Sequence, residues 1–206
     1  MACPLSSNQK NWLVFFATLG FGLLASFGLL QAAGHTDENV RETLRLTARA
    51  SFAILLIIFV ARPAHQLFTT HFTSQLLSRR RLLGVAFAGM HTAHLVLIFY
   101  RLHINEDMAL QAGNIPGAFI YVLILAMFVT SFDATTRMLG RTNWKRLHTI
   151  GLYVIFIAFA QREVPRSLET AESANWILTA LAAAALLLRV ANKVLYDRSN
   201  AQRSEP

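Results

Sequence analysis

Six long apolar stretches constrain this chain more than any other feature of its sequence. They cover approximately residues 11–33, 48–68, 82–102, 118–139, 147–161 and 176–195. Most of them approach the ~20 residues that an α-helix needs to cross the hydrocarbon core of a bilayer. The fifth is short, so its helix is expected to run past Arg162 or to cross with little tilt. With 54% hydrophobic and 15% charged residues, the chain is predicted to be an all-α integral membrane protein. It would be a six-transmembrane-helix bundle, with residues 1–206 as a single membrane domain.

Charged residues are distributed unevenly between the two sides of such a bundle. The side that carries both termini has thirteen basic residues and three acidic ones, whereas the opposite side has six basic and eight acidic residues. Because basic loops stay in the cytoplasm, both termini are predicted to be cytoplasmic. The net charge of +8 is then explained by topology and by contact with membrane lipid, and nucleic acid is not expected as a partner.

Three further features limit the kinds of functional site that the chain can contain. The only cysteine, Cys3, excludes an internal disulfide and a CxxC site. The first ten residues lack a convincing signal peptide, so the first apolar stretch is expected to be a retained anchor. The glycines of GFGLLASFG at 20–28 lie inside that stretch, which favours close helix packing over a nucleotide-binding loop. Any step that uses NAD(P)H or ATP would therefore belong to another polypeptide.

Histidines within the apolar stretches are the main candidates for a functional site, because ionisable groups inside a membrane are functional by default. His91 and His94 lie in the third stretch, His148 begins the fifth, Gln161 ends it, and His65 ends the second. Residues three apart share one face of a helix. Two imidazoles on one inward face favour haem, whose iron accepts nitrogen ligands from facing helices.

Other readings of these histidines remain open at this point. The pair could form hydrogen bonds that join two helices. Zinc would need three or four clustered ligands, and a proton relay usually includes membrane carboxylates. The only acid within a predicted span is Asp133, which makes both less favoured. His35, His71 and His103 lie in or near loops and are expected to be solvated.

Basic and aromatic residues near the cytoplasmic side have two interpretations each. One interpretation is that the arginines keep the basic loops in the cytoplasm and contact lipid phosphate. It applies to Arg80, Arg81 and Arg146. They also fit bidentate pairing with haem propionates. Trp144 lies four residues before His148 and shares its helix face. Its indole would either pack on a porphyrin edge or anchor the helix at the membrane interface.

Three segments carry a resemblance to a known family. They are TARASFAILLIIFVARPAHQ, RRRLLGVAFAGMHTAHLVL and VTSFDATTRMLGRTNWKRLHTIGLYVIFIAFAQ. The sharpest motifs are Arg80-Arg81-Leu82-Leu83-Gly84 with His94 ten residues on, and Leu139-Gly140 followed by Trp144 and Leu147-His148. Over roughly residues 45–190 the chain resembles the ferric-reductase-like transmembrane haem-binding family. Within that family it is most similar to the MsrQ (YedZ) branch, the haem-binding subunits of methionine sulfoxide reductase systems.

The resemblance implies a b-type cytochrome of the bacterial inner membrane that binds one or two haems b, with FMN left open as a further cofactor. Electrons would come from quinol or a flavin reductase and pass to a periplasmic molybdenum oxidoreductase of the MsrP type. The chain would then be an electron-transfer subunit rather than a complete enzyme. A haem-free relative that acts as a scaffold or assembly partner is the main alternative, and a stand-alone ferric reductase is another.

The family's haem ligands carry over incompletely. By resemblance, His94 matches the outer ligand of the third span and His148 the inner ligand of the fifth, whereas Gln161 stands where the MsrQ branch has histidine. His94 and His148 differ in height by more than about 10 Å, so one shared haem is disfavoured. The outer haem would be held by His94 with Gln161 as a weak partner, or by His91 if it sits lower. The inner haem would be held by His148 with His65, or with an arginine or water.

Overall fold

The computed structural model describes residues 5–105, 115–169 and 173–203, and within them the chain is helical and contains no strand. The helices are α1 (Ser7–Ala33), α2 (Asp37–Leu67), α3 (His71–Ser78), α4 (Arg80–Ile104), α5 (Ile115–Val129), α6 (Asp133–Leu139), α7 (Arg141–Glu169) and α8 (Ser173–Arg203). Five of the described helices are long and apolar enough to cross a membrane, and α5 with α6 makes a sixth if that bent pair is one span. The all-helical prediction is confirmed, and five or six of the six predicted spans have a candidate helix, depending on whether the bent pair is one span.

The fourth predicted span is not one continuous helix. A single helix over 118–139 was expected, but α5 ends at Val129, α6 begins at Asp133, and the two axes differ by 104°. Hydroxyl groups compete with the backbone here: Thr130 Oγ1 donates to the Ala126 carbonyl at 2.7 Å, and Ser131 Oγ donates to the Met127 carbonyl at 2.8 Å. Such side-chain bonds favour bends and helix ends.

The carbonyls released at this bend bind neighbouring helices. Ser131 O accepts hydrogen bonds from Arg81 Nε at 2.6 Å and from Asn11 Nδ2 at 3.0 Å. Thr130 O accepts one from Trp144 Nε1 at 2.9 Å. Irregular backbone is tolerated at membrane depth only where protein groups satisfy it. The bend is therefore a junction of α1, α4, α5 and α7.

Two other helices are longer than predicted. α7 runs past Arg162 and includes Pro165, which confirms the expected extension of the fifth span. It also places Glu163 within the helix with only 3% of its surface exposed, so the assignment of Asp133 as the only acid in a span was wrong. α2 begins eleven residues before its apolar stretch, where the Thr36 hydroxyl caps it by accepting from the Asn39 amide.

The core is centred on α2, which packs against α4, α7 and α8. Phe52 stacks on Phe159 with ring centroids 5.1 Å apart, and Phe59 stacks on Phe156 at 4.2 Å. Both α2 phenylalanines are fully buried. Flat rings from α2 and α7 thus form an aromatic layer through the middle of the bundle.

α1 and α4 approach closely because glycines lie at their contact. A Cβ atom on Gly89 would meet the Thr18 hydroxyl and would lie 2.6 Å from the Phe15 carbonyl oxygen, and one on Gly22 would lie 2.7 Å from the Ala93 Cβ. Small residues allow two membrane helices to pack backbone to backbone. The close-packing role predicted for GFGLLASFG is confirmed for Gly22, whereas Gly20 and Gly28 meet no atom within 4 Å.

Contacts at the bend place the start of α1, α4 and α7 at the same end of the bundle as the end of α5. Asn11 of α1 donates to the Ser131 carbonyl there, and Asn8 Oδ1 accepts a hydrogen bond from the Asp133 amide at 3.2 Å. Arg189 of α8 reaches the Phe59 carbonyl of α2 at 3.0 Å. We call this the basic end, because Arg62, Arg79, Arg80, Arg81, Arg137 and Arg141 lie near it.

Replacing Gly89 by alanine should separate α1 from α4, since the new methyl group would overlap the Phe15 main chain. Overpacking of this kind costs about 1–3 kcal/mol, and we expect a lower midpoint of thermal unfolding in detergent. Gly84→Ala on the same helix, where nothing lies within 4 Å, is the matched control and should leave the midpoint unchanged or slightly raised. Equal midpoints for the two variants would contradict the proposed contact.

Candidate functional site

His91 and His94 lie side by side in the interior of the bundle. Their rings are 5.2 Å apart between centroids and are nearly parallel, with an interplanar angle of 15°. His91 is 6% exposed and His94 is half-buried. Both face the interior, as their spacing predicts. His94 contacts α2, whereas His91 contacts α5 and α7.

His94 is oriented by a hydroxyl on α2. Its Nδ1 lies 2.9 Å from Thr47 Oγ1, and that oxygen also lies 3.1 Å from the Thr43 carbonyl and 3.0 Å from the Leu44 carbonyl. When the single hydroxyl hydrogen of Thr47 is directed to one of these carbonyls, the ring donates from Nδ1 and Nε2 keeps its lone pair, the form that binds a metal.

His91 is held by rings rather than by hydrogen bonds. It stacks on Tyr121 of α5 at 4.8 Å and on Phe87 at 5.6 Å, and Phe159 of α7 lies 5.4 Å away. Its Nδ1 is buried and has no hydrogen-bond partner among the described residues, and the same is true of the Tyr121 hydroxyl oxygen. An unsatisfied buried polar atom costs about 1–3 kcal/mol. Two of them beside each other call for an explanation.

A cleft of about 350 Å³ lies next to His91. It runs between α1, α4 and α5, and His91 and Tyr121 form part of its wall. Val122 and Leu125, both well exposed on α5, belong to the same lining. The cleft is thus open at the side of the bundle.

His148 lies at the basic end beside the bend. Its Nε2 is 3.1 Å from Thr130 Oγ1, and the Trp144 ring stacks on its ring at 4.3 Å. The predicted shared face of Trp144 and His148 is confirmed. The hydrogen bond between Nε2 of His148 and Thr130 would have to break before that nitrogen could bind a metal.

The structure does not bring His94 and His148 together. Arg81 and His148 both bond to the bend, the first through Ser131 and the second through Thr130. His94 lies thirteen residues further along α4, which is about 20 Å along the helix axis. The structure therefore agrees with the difference in height between His94 and His148 that was expected from the sequence.

The predicted second ligands are not beside these histidines. Gln161 is exposed on the surface of α7, in contrast to the interior positions of His91 and His94. His65 ends α2 and lies against α3, with its Nδ1 3.4 Å from Thr73 Oγ1. His35, His71 and His103 are all exposed.

The candidate arginines differ in their surroundings. Arg81 Nη1 pairs with Asp133 at 2.7 Å in addition to its bond to the bend, so it holds the fold together. Arg80 is half-buried, and it lies close enough to Arg62 and Arg189 for their positive charges to repel it. Its own charge is in turn close to His148. Arg146 is exposed. Of the three, Arg80 is the one near a candidate histidine.

Several polar groups on the helices around α4 were not predicted as part of the site. Thr43, Thr47 and Ser51 recur every four residues along α2 and are all buried, a stripe of hydroxyls that could have been read from the sequence. Tyr121 had no comparable signal, since its position opposite His91 depends on how α5 packs. Glu163 was missed because the fifth span was drawn too short.

Comparisons with known proteins leave the family open. No protein-family model matches the chain, and no solved structure matches it. Among residues 5–105, 115–169 and 173–203 there is also no group of three or more histidine, cysteine, aspartate or glutamate side chains that could hold a metal ion. The resemblance to ferric-reductase-like proteins therefore stays a prediction.

Arg81→Leu should weaken the junction of α1, α4, α5 and α7, because the Ser131 carbonyl would lose its charged donor. Hydrogen bonds to charged groups are worth about 1.5–3 kcal/mol, so the midpoint of thermal unfolding in detergent should fall clearly. Arg79→Leu removes an exposed neighbouring guanidinium and is the control. A fall of the same size in both variants would show that the loss of basic charge, rather than the junction, is responsible.

Proposed function

We propose that this chain is a b-type cytochrome of the bacterial inner membrane that carries electrons across the bilayer, with both termini in the cytoplasm. The observation that carries the proposal is the oriented imidazole of His94. It lies inside a helical bundle with its Nδ1 bonded to Thr47, and in the tautomer that donates this bond its Nε2 is left as a base. The motifs shared with the ferric-reductase-like family support the same function.

The chemistry of the side chains fits haem better than a bare metal ion. A porphyrin supplies four nitrogens, so its iron needs only one or two protein ligands. A single well-oriented histidine meets that need, whereas zinc needs three or four protein ligands in one place. Bound haem would supply one-electron transfer at a potential that its axial ligands and surroundings set.

His94 is the strongest candidate ligand. Metal-bound histidine almost always donates its other ring N–H to an oxygen, and Thr47 Oγ1 lies within hydrogen-bond distance of His94 Nδ1. His91, one turn nearer the basic end, is the second candidate, with its unpartnered Nδ1. Both project from α4, so they cannot bind opposite faces of one porphyrin. The second axial ligand would come from another helix or be absent.

Room for a macrocycle between α4 and α7 would have to come from side-chain movement. Phe159 and Tyr121 now pack against His91. The cleft beside Tyr121 gives that ring a space to enter. The surrounding aromatic layer would exclude water, which is one of the means by which a protein sets a haem potential.

At the basic end a second haem would require a local rearrangement. His148 would have to release Thr130, and Trp144 would have to leave the face of its ring. Arg80 lies close enough for its charge to act on His148 and is the residue placed to meet a propionate there. The electron donor, quinol or a flavin reductase, and the MsrP-type periplasmic acceptor come into the proposal from the family resemblance.

The second candidate function is a haem-free scaffold or assembly partner. The exposed position of Gln161 and the engaged Nε2 of His148 favour it, because both are positions where the family would need a ligand. A stand-alone ferric reductase shares the haem requirement of the first proposal. It differs by reducing metal ions without a molybdenum partner.

Purified protein, produced with ample haem precursor, should show a haem b band in its reduced-minus-oxidised spectrum. His94→Ala should remove at least half of the haem per chain, because it deletes the only core imidazole with an oriented second nitrogen. His103→Ala, on an exposed position of the same helix, should leave the haem content unchanged. A colourless wild type would point to the scaffold, and an unchanged His94→Ala spectrum would refute the ligand assignment.

Thr47 is a positioning residue in this proposal, acting through His94. Thr47→Val keeps the shape but removes the oxygen that accepts from Nδ1, and loss of such a partner typically lowers metal affinity about 10–100-fold. We expect weaker haem retention during washing and a shifted midpoint potential, both restored by Thr47→Ser. If Thr47→Val lowered thermal stability but left the potential unchanged, its role would be structural only.

A further inference from the structure

Three arginines come together at the basic end of the bundle without a carboxylate partner among the described residues. They are Arg62 of α2, Arg80 of α4 and Arg189 of α8, and we call them the arginine cluster. Arg80 is half-buried and lies close enough to the other two for their positive charges to repel it. None of the ion pairs within the described ranges includes one of the three.

Arg189 is fixed by a break in the hydrogen bonding of α2. Pro63 has no N–H, so the Phe59 carbonyl, four residues earlier, loses its helical partner. Arg189 Nε donates to that carbonyl at 3.0 Å, and the guanidinium lies 4.0 Å from the centroid of the Phe59 ring and 4.7 Å from that of Tyr153. Its two terminal nitrogens form no hydrogen bond with a described residue. The head of Arg189 is therefore held in one orientation with donors left over.

Arg62 belongs to the same seam between α2 and α8. It lies three residues after Phe59 and four before Gln66, so the three positions lie near one face of α2. The Phe59 carbonyl accepts from Arg189, and Gln66 Oε1 accepts from Asn192 Nδ2 at 2.9 Å. Arg62 thus lies between two contacts with α8. Its side chain is exposed and closes the seam on the outer side.

The charges of the arginine cluster call for an anion. A charge that is partly withdrawn from water is costly unless it is paired, and the repulsion within the cluster adds to that cost. Asp133, an acid at the same end, is already paired with Arg81 at 2.7 Å. Guanidinium groups form bidentate hydrogen bonds with phosphate, and basic pockets between membrane helices bind phosphate-containing head groups.

We propose that the arginine cluster binds a phosphate ester between α2, α4 and α8. The terminal nitrogens of Arg189 and the guanidinium of Arg80 hold the phosphate from within the bundle, and Arg62 covers it from the exposed side. An anionic phospholipid and a water-soluble phosphate ester both carry this group. Binding needs no haem, and Arg62 and Arg189 have no part in the proposed ligation, so the inference goes beyond the proposed function.

Thermal unfolding of the full-length protein in a non-ionic detergent measures binding, because a ligand of the folded state raises the midpoint. Dioctanoyl phosphatidylglycerol and glycerol 3-phosphate are titrated separately at constant ionic strength, and at least one should give a saturable rise. A rise with the lipid alone identifies a phospholipid as the ligand, and an equal rise with glycerol 3-phosphate identifies a water-soluble ester. Dioctanoyl phosphatidylcholine, whose choline cancels the phosphate charge, should act more weakly than phosphatidylglycerol.

Variants locate the site. Arg62→Gln removes one guanidinium and should weaken phosphate binding about tenfold, the effect of one lost charge-assisted hydrogen bond. Without phosphate the same change should leave the midpoint unchanged or slightly raised, because a charge that repels Arg80 is lost. Arg141→Gln removes an exposed arginine at the same end and should behave like the wild type with and without phosphate.

The inference is overturned if neither phosphate compound gives a saturable rise, or if phosphatidylcholine acts as strongly as phosphatidylglycerol. It is also overturned if Arg62→Gln and Arg141→Gln respond alike. A lower haem content in Arg62→Gln would overturn it as well, since the cluster would then hold a propionate. The proposed haem function fails separately. A saturable response of a colourless protein would refute only the cytochrome, and a haem-containing protein without that response would refute only the phosphate site.

Discussion

The architecture depends on how the backbone satisfies its polar groups where α5 ends. A helix that breaks inside a bundle leaves carbonyls without their helical partners, and each costs free energy if it is buried and left alone. Here Ser131 O receives Arg81 and Asn11, and Thr130 O receives Trp144. Because these donors belong to α4, α1 and α7, satisfying one bend also fixes the relative positions of four helices.

The histidine pair shows how the same helix face can serve two environments. His94 faces the buried hydroxyl stripe of α2, and its Nδ1 is bonded to Thr47, which sets the direction of the ring. His91, one turn earlier, stacks among Tyr121 and Phe159, and its Nδ1 has no hydrogen-bond partner among the described residues. Three residues of spacing therefore separate two different environments.

Hydropathy predicted the helices well because spans are set by length and composition, which are local properties. It failed at Thr130–Phe132, since a mean over twenty residues does not register two hydroxyl side chains that bend the chain. It shortened α7 because Arg162 and Glu163 are polar, yet Glu163 is buried among its neighbours. The inward position of His91 and His94 was predictable from their spacing. The identity of their partners, Thr47 and Tyr121, was not, since it depends on which helices pack against α4 and at what height.

The separation of His94 from His148 bears on how many haems the proposed cytochrome can hold. About 20 Å along the helix axis separates the level of His94 from the bend that holds His148, so one iron cannot use both. His94 already has an oriented ring with a free nitrogen, whereas His148 would have to exchange its bond to Thr130 for a bond to iron. Haem at the basic end would also displace Trp144 from the ring of His148, and the Trp144 indole donates a hydrogen bond to the Thr130 carbonyl at the bend. Of the two positions, the one at His94 therefore disturbs the helix junction least and would be filled first.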